Sequence, residues 1–178
     1  MNKLINDILW NQFGASIDML INVVSNCDDN YFQTHKRFYY ITYHSIIFLD
    51  YYLSIPPSEF SPMLPFTQKE LDDRPAEAID DLIPDKIYTK QELLNYLDHN
   101  RQKCNQLIYS LNEGSLHDRF KEGDQPGDMD YPVLEIILYN LRHTQHHTAQ
   151  LNILLRQDLD KHMEWSFRAG DLKTNYKD

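Results

Sequence analysis

Leu141-Arg142-His143-Thr144-Gln145-His146-His147-Thr148-Ala149-Gln150-Leu151 lies in the last of four long segments that carry helical periodicity. An α-helix turns by about 100° per residue, so residues four apart differ by about 40° and stand one above the other. His143 and His147 therefore share a direction. Ile136 and Leu154 fall within about 20° of His143 by the same count. The pair thus lies on the apolar arc that turns inward, and Asn140 and Gln150 lie on that arc too. His146 falls about 60° to one side, at its margin.

The segment itself begins near Asp130-Tyr131-Pro132, with proline in its first turn, and continues to about residue 157. Three more helices precede it. The first covers residues 4–25, where Ile5, Ile8, Leu9, Ile17, Leu20, Ile21 and Val24 recur at helical spacing. The second covers residues 31–54 and is dense in aromatics, among them Phe38, Tyr39, Tyr40, Tyr43, Phe48, Tyr51 and Tyr52. Such a helix is apolar over most of its surface and belongs near the centre. Ile55-Pro56-Pro57 ends it. Thr89-Lys90-Gln91-Glu92 has the form of a capping box and opens the third helix, whose core stripe is Leu93, Leu97, Cys104, Leu107 or Ile108, and Leu111. Asn112-Glu113-Gly114 ends it.

Residues 55–88 hold six of the eight prolines and form a long connection. A connection of that length suits a crossover from one end of a bundle to the other, which lets the third helix run parallel to the second. No segment alternates like a half-exposed sheet. The expectation is all-α: a four-helix bundle with a long crossover between helices 2 and 3, forming a single domain over residues 1–178. The tail from 158 to 178 has little periodicity, with Trp165 and Phe167 positioned to dock on the bundle.

Composition narrows the function. A hydrophobic share of 42% excludes a disordered chain. The formal net charge of −10 opposes nucleic-acid phosphates and anionic lipid. No apolar run is long enough to span a bilayer, and the N-terminus lacks the continuous apolar stretch of a signal peptide. A cytoplasmic protein with a small-molecule substrate is expected. Cys27 and Cys104 share no close spacing, so both should stay reduced. The acidic pairs Asp72-Asp73 and Asp80-Asp81 read as solvated loop.

Two imidazoles one turn apart can bind one metal ion through the lone pair of each neutral ring. A third ligand must come from another helix. His35 and His44 lie on the second helix about 180° apart, so at most one faces inward. His44 sits among Tyr40, Ile41, Ile47, Phe48 and Tyr51, whereas His35 neighbours Gln33, Thr34, Lys36 and Arg37, which favours His44. His99 points away from the core stripe; His117 and His162 lie in loops. Spacing alone leaves a second account open, in which tyrosine hydroxyls or carboxylates satisfy a histidine pair in a partly polar core.

His143-Thr144-Gln145-His146-His147-Thr148-Ala149-Gln150 resembles the signature His-x-x-His-His-Arg-Gly-Gln in the last helix of the DinB-like metalloenzyme family. Tyr43-His44-Ser45-Ile46-Ile47-Phe48-Leu49-Asp50 matches the family's second-helix histidine, and residues 88–98 resemble the start of its third helix. The resemblance implies a four-helix bundle with a long crossover, a homodimer, and a zinc or nickel ion on His44, His143 and His147. Thr148-Ala149 departs from the signature's Arg-Gly, which removes any substrate contact made by that arginine.

Three neutral histidines leave coordination positions open to a thiol or water. Gln150 and Asn140 are candidate supports of the site, and Tyr40 and Tyr51 candidate donors to a substrate. The reading is a metal-dependent enzyme, most like a thiol S-transferase that uses a low-molecular-weight thiol. The alternatives are a metal-dependent hydrolase and a non-catalytic dimeric stress or binding protein of the same fold.

Overall fold

The structure is a computed structural model that describes residues 3–172. It is mostly helical. Its helices are α1 (Lys3–Ser25), α2 (Asp29–Thr34), α3 (Lys36–Tyr52), α4 (Lys90–Ser110) and α5 (Val133–Leu159). Two small antiparallel ribbons lie in the connections. β1 (Phe66–Gln68) pairs with β2 (Leu82–Pro84), and β3 (Arg119–Lys121) pairs with β4 (Asp130–Pro132). No strand is expected from the sequence, because runs of three residues are too short to show an alternating pattern. The end of the tail, beyond residue 172, lies outside the described residues.

The expected second helix is two. The chain leaves the helical region at His35 (φ −91°, ψ 85°), where the ring Nδ1 accepts a hydrogen bond from the Phe38 backbone N–H at 3.1 Å. His35 thus caps α3, satisfying one of the donors a helix start leaves orphaned. Its Nε2 lies 3.3 Å from Asp158 Oδ2 on α5, and its ring stacks on Tyr31. His35 is therefore structural. The capping box at Thr89 forms in full: its hydroxyl accepts from the Glu92 N–H, and the Glu92 carboxylate accepts from the Thr89 N–H at 2.7 Å.

Polar contacts give the helix directions. Tyr39 OH accepts from the Tyr88 N–H just ahead of α4, Asn100 Nδ2 donates to Ile46 O, and Lys103 Nζ donates to Ser54 Oγ. Residue numbers rise together, so α3 and α4 run parallel. Asn140 Nδ2 donates to Leu49 O and Tyr139 rests on Tyr52, while His147 faces His44; numbers run oppositely, so α5 is antiparallel to α3. Asp18 with Arg101 and Asp7 with Tyr109 make α1 antiparallel to α4. α1 packs on α4 and α5, and α3 packs on the same two. The core between them holds Phe13, Ile17, Leu20, Phe38, Ile46, Leu93, Leu97, Cys104, Ile137 and Leu151, all fully buried. Cys27 and Cys104 are buried free thiols.

Tyr43 on α3 and Tyr88 just ahead of α4 are pegs for the long connection. Tyr43 OH donates to Leu64 O at 2.7 Å, and Tyr88 OH donates to the next carbonyl, Pro65 O, at 2.8 Å. Buried phenols need such partners, and the connection's backbone carbonyls need donors. The connection between α3 and α4, residues 53–89, is thereby drawn down over α3, a placement with consequences for the site.

Two expectations about exposed residues fail. Ile5 and Ile8 carry the periodicity of α1 but are 44% and 53% exposed, whereas Asn6 between them is buried and bonds to Leu111 O. Trp165 and Phe167 do not dock; they are 61% and 76% exposed. The tail attaches through its backbone and small residues instead. Ala169 N–H donates to Asn11 O, Gly170 N–H donates to Asp18 Oδ2, and a Cβ on Gly14 would stand 2.5 Å from that of Ala169. Glycine at position 14 is what allows this close approach.

Candidate metal centre

α3 and α5 cross with His44 opposite His143 and His147. The Nε2 of His143 lies 3.1 Å from the Nε2 of His44 and 3.1 Å from that of His147. The three ring centroids are 4.5–5.1 Å apart. The structure thus brings together the three histidines singled out in the sequence, and they form a group that could hold a metal ion. His99, His117, His146 and His162 are exposed.

The outer nitrogens decide what the inner ones present. His44 Nδ1–H donates to Asp80 Oδ2, and His147 Nδ1–H donates to Gln150 Oε1 at 2.8 Å. With the proton held on Nδ1, each Nε2 turns a bare lone pair inward. Lone pairs facing each other at 3.1 Å repel unless a cation or proton lies between them. Two imidazole nitrogens on one tetrahedral zinc stand about 3.3 Å apart, given Zn–N distances of about 2.0–2.1 Å. The spacing therefore fits an ion. His143 can place its own N–H in one of these contacts, because nothing holds its proton on Nδ1; a charged ring is the poorer answer for the remainder. Burial, reinforced by His147 and His44, holds the His143 pKa down at about 3. Burial, then His44, holds that of His147 at about 4. His143 Nδ1 is buried with no hydrogen-bond partner.

Asp80 is the residue the sequence reading missed. In sequence Asp80-Asp81 reads as solvated loop, yet the Asp80 side chain is only 18% exposed. The pegged connection turns between β1 and β2 and lowers Asp80 onto His44, while Asp80 Oδ1 accepts from the Leu82 N–H at 2.9 Å. The available signal was chemical: a ligating histidine needs an acceptor on its other nitrogen, and carboxylates are the commonest. Asp72 and Asp73 are exposed, as expected.

The other candidates are placed as follows. Gln150 is on His147. Asn140 is fully buried and ties α5 to Leu49 O on α3, with Thr144 Oγ1 at 3.5 Å from its oxygen. Tyr51 donates to Glu122 Oε1 at 2.6 Å, and its ring meets Phe48, which in turn packs on His44 and His143. Tyr40 packs edge-on to Tyr39 and lines a cavity of about 590 Å³ together with Phe32, Lys36, Ile87 and Tyr88. Thr148 is fully buried and bonds to Thr144 O, so its position faces the interior.

Phe48, Tyr52 and Tyr139 wall His143. Beyond it opens a hollow of about 310 Å³ lined by Tyr139, Arg142, His143 and His146. No helix among the described residues is long and apolar enough to cross a membrane. A family model described as the DinB superfamily matches residues 12–151, most of the chain. Comparison with curated proteins and with solved structures gave no match. The chain belongs to the DinB superfamily.

Proposed function

We propose that this member of the DinB superfamily is a metal-dependent enzyme, most like a thiol S-transferase, in which His44, His143 and His147 hold zinc or nickel. The observation that carries this is the convergence of three Nε2 atoms, two of them with lone pairs aimed inward by acceptors on the far side of their rings. Metal binding is common in the superfamily. When bound, the ion would supply Lewis-acid chemistry and lower the pKa of a coordinated thiol or water.

The chain's own residues then position and exclude. Asp80 and Gln150 hold two imidazoles in the ligating tautomer. Phe48, Tyr52 and Tyr139 screen the ligands from water and raise the strength of charge interactions inside. The hollow beside His143 is the approach for a small substrate. Neither cysteine serves as the nucleophile: both are buried, burial pushes the Cys27 thiol up to about 11, and it pushes Cys104 up as well. The thiol would come from outside, as a low-molecular-weight compound. Both oxygens of Asp80 are engaged, so it is a poor general base for water, which favours thiol transfer over hydrolysis.

In this reading the four long helices form a four-helix bundle with residues 53–89 as its crossover, one domain, working as a homodimer. The exposed Ile5 and Ile8 give a partner apolar surface to cover. A second reading, a non-catalytic binding protein, is favoured by the same full engagement of Asp80.

The test is zinc and nickel titration of the apo protein alongside His147→Ala, followed by assays of thiol conjugation and of ester hydrolysis at fixed metal content. One ion per chain in the wild type, weakened in the variant, with metal-dependent conjugation, is the expected result. No stoichiometric metal removes the proposal; metal without turnover of either kind leaves the binding-protein reading in its place.

A further inference from the structure

The hollow in front of His143 contains a cation that no carboxylate among the described residues pairs with. Arg142 is exposed, and among the described residues it enters no ion pair with a carboxylate. The chain carries 27 acidic against 17 basic residues, so an unpaired guanidinium beside the buried histidines is a local reversal of sign. Its Cζ stands 5.7 Å from the centroid of the Tyr139 ring, and that ring lies nearly parallel to His143, 14° apart at 6.3 Å. Cation, phenol and ligand imidazole are thus stacked in sequence along one wall. The contact with Tyr139 limits the guanidinium's freedom without using its N–H donors. His146 closes the other side, its ring 5.0 Å from that of His147.

From this geometry we infer that the hollow is a carboxylate subsite, with Arg142 binding the acid group of a small organic substrate while its reacting end lies at the histidine group. The inference rests on the proposed function and names its substrate class. A guanidinium offers paired donors that match a carboxylate two-for-two. A phosphate group would need more: the hollow supplies one cation, no lysine, and no helix N-terminus, since α5 begins at Val133, well before Arg142. The volume, about 310 Å³, admits a molecule of roughly benzoate size and is at the small end of ligand sites. Arg142 and His143 are consecutive on α5, so the helix fixes the spacing of their backbones.

The full chain, both with its metal and after stripping, is titrated with benzoate and with the neutral isostere benzamide, followed by calorimetry and by ligand NMR. Wild-type protein should prefer benzoate by about ten-fold or more in both forms, the size expected for one charge-assisted bidentate contact. Arg142→Gln should lose that preference, and Arg142→Lys should keep part of it. Both variants should take up zinc as the wild type does, because the substitution is outside the histidine group. Absence of a preference in the stripped wild type, or its persistence in Arg142→Gln, overturns the carboxylate subsite whatever the metal content. Equal binding of inorganic phosphate and benzoate would also overturn it. Failure to bind zinc, by contrast, counts against the proposed function and is read separately.

Discussion

Asp80 uses one carboxylate oxygen to hold His44 and the other to hold its own backbone turn at Leu82. Its contribution is orientation: it keeps the proton on His44 Nδ1 and aims Nε2 at its two partners. Outer acceptors of this kind are worth about 10–100-fold in metal affinity. Asp80→Ala should therefore weaken zinc binding by about 100-fold, and Asp80→Asn, which retains an acceptor, by about ten-fold, measured by competition with a chelator. Unchanged zinc affinity in Asp80→Ala would show that packing against Phe48 alone orients His44. The three histidines were legible in the sequence because each lies on a helix, where angle follows from residue count. Asp80 was not, because it lies in an irregular connection, where no period relates position to direction.

At the scale of elements, the parallel pairing of α3 with α4 hinges on a buried carboxylate. Asp50 is 2% exposed and receives Tyr96 OH at 2.5 Å and Lys103 Nζ at 2.5 Å, with Ser54 Oγ also on the lysine. Removing the cation leaves a buried charge with only a phenol for support. Lys103→Met should cost about 3 kcal/mol, the low end of the range for breaking such a pair, because the lysine is itself 31% exposed. Urea denaturation checks this; a loss below about 1 kcal/mol would mean that water enters and replaces the ammonium. Such ties were invisible beforehand. Asp50 and Lys103 are 53 residues apart, and the sequence shows only that each interrupts an apolar face. The break at His35 escaped for a related reason: a histidine acting as a helix cap uses a ring nitrogen, and its neighbours Thr34 and Lys36 read equally well as continuing helix.

The whole molecule should register the histidine group as acid sensitivity. His143 and His147 stay neutral in the folded, metal-free protein down to about pH 3 and about pH 4, held there chiefly by burial. An unfolded histidine titrates near pH 6.5. Between those values the unfolded chain binds more protons, so stability is present above about pH 6.5 and is lost progressively as pH falls towards 4. Metal-stripped wild type should show a falling urea midpoint over that window, and the double variant His143→Gln, His147→Gln should show a shallower fall. Identical pH profiles would place the sensitivity elsewhere.

Four helical segments, the capping box at Thr89 and the inward pair His143 and His147 were determined by the sequence alone, because helical angle, caps and proline stops are local properties. His44 was favoured over His35 by its neighbours for the same reason. Tertiary structure alone decided that three Nε2 atoms meet, that Asp80 comes down upon His44, and that Arg142 faces an open hollow without a carboxylate. Those facts depend on where the long connection settles. Its course is set by the hydroxyls of Tyr43 on α3 and of Tyr88 just ahead of α4 meeting backbone carbonyls at Leu64 and Pro65, contacts between distant residues that no periodicity encodes.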